Sequence, residues 1–256
     1  EIAPLRRLRA LDALTDEEMV NQLRTRLLQA SAPTPSVETL LHAFLPHKFV
    51  DHTHADAILE LTDQPNGEEL VAEAFGGTVA VLPWIMPGFP LAKAVAEACE
   101  QQPDCRGVVL LKHGIFTFAD TARESYERMI ELVDQAEQFV DRKIDGKPTM
   151  VAVPKGMDSG ESEDFAANVL PVVRGALAES MGNGSFRRVV SAWRGADDVV
   201  AFSKHSDCRG AVQRAPLTPD HVIRTKGKYL VLGREQAESP ELCRQAVHAY
   251  GEAYRR

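Results

Sequence analysis

The sequence predicts an α/β fold, because segments with the apolar spacing of amphipathic helices alternate with short apolar runs typical of strands. Two capping boxes mark where helices begin, Thr15 with Glu18 and Thr121 with Glu124. Clusters of Gly, Pro, Asp and Ser fall between the periodic segments, as they do in turns and loops. Helices and strands that alternate along a chain are typical of α/β proteins.

The amino-terminal part of the chain, up to residue 111, contains two predicted helices before its first predicted strand. One helix is expected over 15–29, after the first capping box. A second is capped by Ser36, carries Glu38 in its first turn and ends at Pro46. The expected strands are 49–52, 78–82 and 107–111, with a helix at 91–99 between the last two.

A long amphipathic helix is expected after the second capping box, from Ala122 to about Lys143. Its charged face is expected to be solvated. Its expected core residues are Tyr126, Ile130, Val133 and Val140.

Turn-forming residues at 145–148 and 154–162 place a domain boundary near residue 150. The sequence thus divides into a core domain over 1–150 and a carboxy-terminal α/β extension over 151–256. The elements expected in the extension are a helix at 165–181, strands at 188–193, 221–224 and 229–232, and a last helix from Ser239.

The composition is that of a globular protein, with 26% charged and 44% hydrophobic residues among 256. The formal net charge of −8 argues against nucleic acid or an anionic membrane as a partner. No apolar run is long enough to span a bilayer, and the amino terminus lacks the apolar segment of a signal peptide. Four scattered cysteines fit a reduced compartment. We expect a cytoplasmic protein.

The tripeptide His52-Thr53-His54 follows an apolar run, and His113 follows another at 108–111. Residues two apart in a strand project from the same face, so His52 and His54 can converge. A third imidazole from another strand end would complete the three protein ligands of a catalytic zinc site. Asp51 and Asp56 lie close by in sequence and are candidates to orient the rings. A His-x-His pair taken alone is more often a surface or packing feature.

Three segments resemble the class II aldolase/adducin family, namely Pro35-Ser36-Val37-Glu38, His52-Thr53-His54 and Leu111-Lys112-His113-Gly114. Segments 50–57 and 218–226 look like the aldolase part of bifunctional rhamnulose-1-phosphate aldolase/short-chain dehydrogenase proteins. The resemblance is fairly specific over about 15–145 and looser beyond. It implies a three-layer αβα sandwich with a central, mostly antiparallel sheet, followed by a carboxy-terminal α/β extension.

The resemblance also implies a function. His52, His54 and His113 would bind Zn²⁺ or another divalent cation, and Glu38 would be the general acid/base. The enzyme would cleave a small sugar phosphate, a deoxyketose 1-phosphate of the rhamnulose or fuculose type, to dihydroxyacetone phosphate and lactaldehyde. Family members are usually homotetramers, and the apolar loop at 83–90 is expected to be buried by a neighbouring subunit. A fused or associated short-chain dehydrogenase is a further expected partner.

Other interpretations remain open at this stage. Family enzymes hold the substrate phosphate with an amino-terminal loop and a Ser-Ser pair before the glutamate, whereas Val37 replaces the second serine and no such loop precedes Glu38. A truncated fragment and a catalytically inactive, adducin-like interaction module are therefore alternatives. Glu38 would then only favour the start of its helix, a contribution of about 0.3–1 kcal/mol.

Overall fold

A computed structural model describes residues 2–145, 147, 160–214, 216–225, 227 and 229–255. Two compact units are present, Glu1–Asp145 with Leu217–Arg224 and Gly146–Pro216 with Thr225–Arg256. The segment Leu217–Arg224 thus packs with the first unit, although a division at 150 assigns it to the carboxy-terminal part. Most of the predicted linker lies outside the described residues, and the boundary near 150 stays a prediction.

Within the described ranges, no helix is both long and apolar enough to cross a membrane.

The first unit consists of helices packed around one sheet. Its helical segments are α1 (Ile2–Arg7), a 3-10 helix (Leu8–Ala10), α2 (Asp16–Arg24), α3 (Thr39–Phe44), α4 (Asp56–Thr62), α5 (Gly67–Phe75), α6 (Phe89–Gln101) and α7 (Ala122–Ile144). Its strands are β1 (Phe49–Thr53), β2 (Ala80–Leu82), β3 (Gly107–Leu110) and β4 (Gly114–Ala119).

The sheet has the order β1-β4-β3-β2, with β4 antiparallel to both of its neighbours and β2 parallel to β3. The expectation of a mostly antiparallel central sheet is therefore confirmed. Strand β4 lies inside the sheet and was not predicted. Its six residues are all buried, so apolar side chains occupy both faces and the polar alternation that reveals a half-exposed strand is absent.

Helices cover both faces of this sheet, which gives the predicted three-layer αβα arrangement. Val108 and Phe116 point into a core that also contains Leu40 of α3 and Val95 of α6. Residues of the opposite parity, such as Val109 and Ile115, point into a second core with α4, α5 and α7. Because each face has its own core, both faces of the central strands are buried.

Helix α7 has nearly the expected bounds, but its core face was partly mispredicted. Tyr126 and Ile130 are 59% and 52% exposed. Val133 and Val140 are partly buried and pack against the core. The fully packed stripe is Met129, Leu132, Ala136 and Phe139. Both stripes have helical spacing, so periodicity alone could not choose between them.

Two other helix predictions also differ from the structure. Helix α2 ends at Arg24 rather than near residue 29, since the Thr25 hydroxyl donates to the Asn21 carbonyl at 2.9 Å and closes the last turn. Helices α4 and α5 were not predicted. Each is short, with seven and nine residues, and therefore has little room to show a periodic pattern.

The carboxy-terminal half is mainly helical. Its elements are α8 (Gly160–Ala176), β5 (Glu179–Ser180), β6 (Phe186–Arg187), α9 (Asp197–Lys204), α10 (Cys208–Ala211), α11 (Pro219–Thr225), α12 (Arg234–Glu238) and α13 (Pro240–Arg255).

The three strands predicted in this half were wrong. Residues 221–224 lie in α11, because Thr218 and Pro219 start a helix and override the strand preference of Val222 and Ile223. Residues 188–193 and 229–232 form no strand either, and no neighbouring strand among the described residues pairs with them. The last helix was correctly predicted within one residue.

A test of the core assignment compares two side chains on α7. Leu132→Ala should lower the free energy of unfolding by about 2–5 kcal/mol, because Leu132 is fully buried and its truncation leaves a cavity. Ile130→Ala is the control and should cost about 0.5 kcal/mol or less. Urea denaturation followed by circular dichroism measures both. Equal losses would show that the core face is wrongly assigned.

Candidate metal centre

The pairing of β1 with β4 brings the histidines to one edge of the sheet. His52 lies opposite Phe116 and Thr53 opposite Ile115 in an antiparallel register. The end of β1 is therefore beside the start of β4. His54 follows β1 directly and His113 precedes β4 directly, so both enter the same space.

The turn between β3 and β4 fixes the position of His113. Lys112 has a left-handed backbone with φ of 62°, and the His113 N–H donates to the Leu110 carbonyl at 3.1 Å. A left-handed residue in a short hairpin loop reverses the chain tightly. His113 is consequently buried at the start of β4 rather than carried on a mobile loop.

Gly114 allows β1 and β4 to approach closely at this point. A Cβ at Gly114 would lie 2.4 Å from the Thr53 carbonyl oxygen, and 3.1 and 3.2 Å from ring carbons of His54 and His52. Any side chain here would press on the backbone and on both rings. The absence of a side chain at Gly114 is therefore a condition for the histidine arrangement.

Glu38 enters the site from the start of α3. The helix begins at Thr39, so Glu38 precedes the first turn instead of lying within it as predicted. Ser36 also does not cap the helix as expected, because its hydroxyl accepts the Glu38 N–H at 3.2 Å and donates to Glu38 Oε2 at 2.9 Å. With Oε2 held in this way, Oε1 faces the histidines.

The structure brings all four predicted site residues together. Glu38 Oε1 lies 3.1 Å from His113 Nε2, 3.4 Å from His52 Nε2 and 3.9 Å from His54 Nε2. The Nε2 atoms of His52 and His54 are 2.9 Å apart. Two ligand atoms of a tetrahedral zinc with bonds of about 2.0–2.1 Å lie about 3.4 Å apart. The donor set and its spacing therefore fit a divalent cation of zinc size.

The outer ring nitrogens of two histidines are already engaged. The His52 Nδ1–H donates to the Ile115 carbonyl at 3.0 Å, and the His54 Nδ1–H donates to Asp220 Oδ2 at 2.9 Å. A carbonyl oxygen only accepts, and so does a carboxylate, so the proton of each neutral ring is on Nδ1. Both Nε2 lone pairs then point at each other across 2.9 Å, an arrangement that a shared proton or a cation relieves.

The charge of the cluster also favours a cation. When the cluster holds a shared proton, hydrogen bonds with His113, then His52 and His54, hold the pKa of the Glu38 carboxyl far below its usual range. Burial lowers the pKa of His52, whereas the hydrogen bond with Glu38 is the largest cause that raises the pKa of His54. The cluster thus combines a carboxylate with nitrogen donors, the ligand types that zinc takes.

Packing fixes the orientation of His52. Its ring stacks on Phe116, with centroids 3.9 Å apart and planes 8° from parallel. His42 meets the same phenylalanine edge-on at 5.8 Å, and His47 stacks on Phe118 at 4.2 Å. His42 and His47 are thus packing residues.

The carboxylate that reaches His54 is Asp220, and the sequence analysis did not identify it. Asp51 and Asp56 are close to the histidines in sequence, but His54 Nδ1 bonds to a residue 166 positions away. Asp51 lies within β1 opposite Thr117, and Asp56 is exposed at the start of α4. The segment 218–226 carried the family resemblance, and this was the one signal in the sequence that could have pointed to Asp220.

Comparison with known domains places this arrangement in a family. The domain described as "Class II Aldolase and Adducin N-terminal domain" matches residues 8–140, and "Aldolase class II, second domain" matches residues 164–256. The chain belongs to the class II aldolase and adducin family. The family typically uses a divalent metal, in agreement with the cluster of Glu38 and three histidines.

Two relatives show how far the similarity extends. The "Uncharacterized oxidoreductase YuxG" of Bacillus subtilis (strain 168) is 32% identical over 216 residues, which cover 84% of this chain and 30% of that protein. The solved N-terminal class II aldolase domain of a conserved protein from Thermoplasma acidophilum is 45% identical, with a TM-score of 0.51. That match covers 55% of this chain and 64% of the solved chain. This chain therefore spans less than a third of the Bacillus protein.

The close approach at Gly114 predicts the effect of one methyl group. Gly114→Ala should separate β1 from β4 locally, displace the rings of His52 and His54, and lower the affinity for Zn²⁺ at least about tenfold. Competition with a coloured chelator measures the affinity. Gly175→Ala is the control, since a Cβ there meets nothing within 4 Å. Unchanged Zn²⁺ affinity in a folded Gly114→Ala protein would contradict this geometry.

Proposed function

We propose that this chain is a zinc-dependent aldolase that cleaves a deoxyketose 1-phosphate of the rhamnulose or fuculose type to dihydroxyacetone phosphate and lactaldehyde. The observation that supports it is the convergence of three imidazole nitrogens and one carboxylate oxygen within 4.8 Å of one another. Membership of the family supplies the reaction class. The particular sugar phosphate rests on the resemblance to bifunctional rhamnulose-1-phosphate proteins.

His52, His54 and His113 would hold the ion through Nε2, the atoms that face Glu38 Oε1, and the Nδ1 contacts of His52 and His54 leave the Nε2 atoms of these two rings free to bind. A bound divalent cation supplies Lewis-acid stabilisation of the negative charge that carbon–carbon cleavage leaves on the substrate. The side chains of the three histidines are only 4–16% exposed, so little of each ring is in contact with bulk water.

Glu38 is the proposed acid/base. Cleavage releases an aldehyde and leaves an enediolate, whose carbon must take up a proton to give the ketone. Cleavage also releases the proton of the substrate hydroxyl that becomes the aldehyde oxygen. Glu38, a carboxylate before the reaction, would take up that proton and pass it to the enediolate carbon, and in the condensation direction the same carboxylate would remove it again. The Ser36 hydroxyl fixes the orientation of the Glu38 carboxylate through Oε2, which leaves Oε1 facing the site.

The longer relative suggests a wider context. Its printed name describes an oxidoreductase, and this chain covers 30% of its length. We propose that this chain acts as the aldolase part beside a short-chain dehydrogenase, either fused to it or associated with it.

Metal content and product release test the proposed function together. We expect about one zinc per chain by elemental analysis, and release of dihydroxyacetone phosphate from rhamnulose 1-phosphate or fuculose 1-phosphate in a coupled assay. Removal of the ion by a chelator should abolish the release, and added Zn²⁺ should restore it. A folded chain that binds no divalent cation and cleaves neither sugar would instead favour the inactive interaction module.

Glu38→Gln separates proton transfer from metal binding. The variant should lose about 10²–10⁴-fold in kcat, because the amide cannot accept or deliver the proton, while zinc content stays near that of the wild type. Glu97→Gln is the control, since Glu97 is exposed on α6. A Glu38→Gln enzyme that keeps more than about a tenth of the rate would show that another group is the base.

We also propose a homotetramer, with the loop 83–90 at a subunit interface. Within one subunit Trp84 and Met86 remain 52% and 64% exposed, whereas Ile85 and Phe89 pack against the core of the same chain. Two neighbouring large apolar side chains in contact with water are typical of an interface. Light scattering at tens of micromolar should give about four times the chain mass, and Trp84→Ser with Met86→Ser should lower it. A wild-type monomer would contradict the proposal.

A further inference from the structure

The segment Leu217–Arg224 packs with the first unit and reaches the candidate metal centre. Thr218 is buried, and its hydroxyl accepts the N–H of His221 at 3.4 Å. The same hydroxyl lies 2.6 Å from His221 Nδ1. These contacts fix the first turn of α11, which begins at Pro219. Asp220, the second residue of this helix, is thereby placed beside His54.

The contact between Asp220 and His54 has the geometry of a charge-assisted hydrogen bond. The distance from Nδ1 to Oδ2 is 2.9 Å, and the His54 side chain is only 16% exposed. The other imidazole of the pair, His52, is held in the same manner by the Ile115 carbonyl. Each member of the His-x-His pair therefore has its own acceptor on the nitrogen that faces away from the cluster.

We propose that Asp220 is a positioning residue of the metal centre, contributed from the carboxy-terminal half of the chain. By accepting the Nδ1–H, Asp220 keeps the Nε2 lone pair of His54 directed into the cluster and makes that nitrogen a stronger donor. The inference rests on the proposed metal-dependent function. It goes beyond that function because it assigns part of the site to a segment outside the residues that provide the ligands.

The exposure of Asp220 separates a positioning role from a structural one. The Asp220 side chain is 57% exposed, and an ion pair with one solvent-exposed partner contributes little to global stability. Removal of the carboxylate should therefore leave the fold and its resistance to urea nearly unchanged. A loss of metal affinity in such a folded protein would come from the orientation and basicity of His54.

The test measures the binding of Zn²⁺ and Co²⁺ to the full chain, without substrate. Asp220→Ala should raise the Kd for both ions about 10–100-fold, the range found when the outer partner of a metal-bound histidine is removed. Asp220→Asn should have a smaller effect, because the amide oxygen can still accept the Nδ1–H. The visible absorption of bound Co²⁺, which reports ligand geometry, should change in Asp220→Ala and largely recover in Asp220→Asn.

Asp56→Asn is the matched control. Asp56 lies two residues from His54, its carboxylate is exposed, and the substitution removes the same single negative charge. It should change Kd by less than about threefold, which is well below the effect of a lost outer partner. If Asp220→Ala and Asp220→Asn bind both ions with wild-type affinity and an unchanged Co²⁺ spectrum, the positioning role is overturned. If the wild type itself binds neither ion, the proposed function fails first, and the inference fails with it.

Discussion

The antiparallel pairing of β1 with β4 is the interaction on which the rest of the site depends. It aligns Thr53 with Ile115 and so brings the residue after one strand beside the residue before the other. A shift of one residue would turn His52 toward the opposite face of the sheet. Such a shift is strongly disfavoured, because Phe116 and Ile115 of β4 are fixed in two different cores. The sheet register therefore determines the geometry of the cluster.

The cluster is a concentration of electron-pair donors that the surrounding structure holds in place. Phe116 supports the ring of His52, and Ser36 holds one oxygen of Glu38. Three imidazoles and a carboxylate at these distances are unfavourable partners unless a proton or a cation lies among them. Phe116 lies in the buried strand β4 and Ser36 lies just before α3, so the donors are preorganised. A site that is preformed in this way loses little conformational freedom when it binds.

The parts of the molecule that the sequence predicted are those encoded locally. The alternation of elements gave the α/β class, the capping box gave the start of α7, and the His-x-His spacing indicated the convergence of His52 with His54. Strand β4 was not predicted, because a strand that is buried on both faces lacks the alternation of apolar and polar residues that marks a half-exposed strand. The role of Ser36 and the contact of Asp220 with His54 depend on distances between segments, and neither propensity nor periodicity contains that information. Tyr126 and Ile130 show the same limit, because two stripes of one helix had equal spacing and only tertiary packing selected between them.

The long sequence separation between His54 and Asp220 has a consequence for the synthesis of the protein. Glu38, His52, His54 and His113 all precede the end of α7, whereas Asp220 follows His113 by about a hundred residues. A ribosome adds about 5–20 residues per second, so Asp220 is made roughly 5–20 s after His113. A nascent chain thus exposes the complete set of proposed ligands before it contains the residue that orients His54. Binding of the proposed ion and formation of the contact between His54 and Asp220 can therefore be separated in time, because Asp220 is present only after the carboxy-terminal half has been translated.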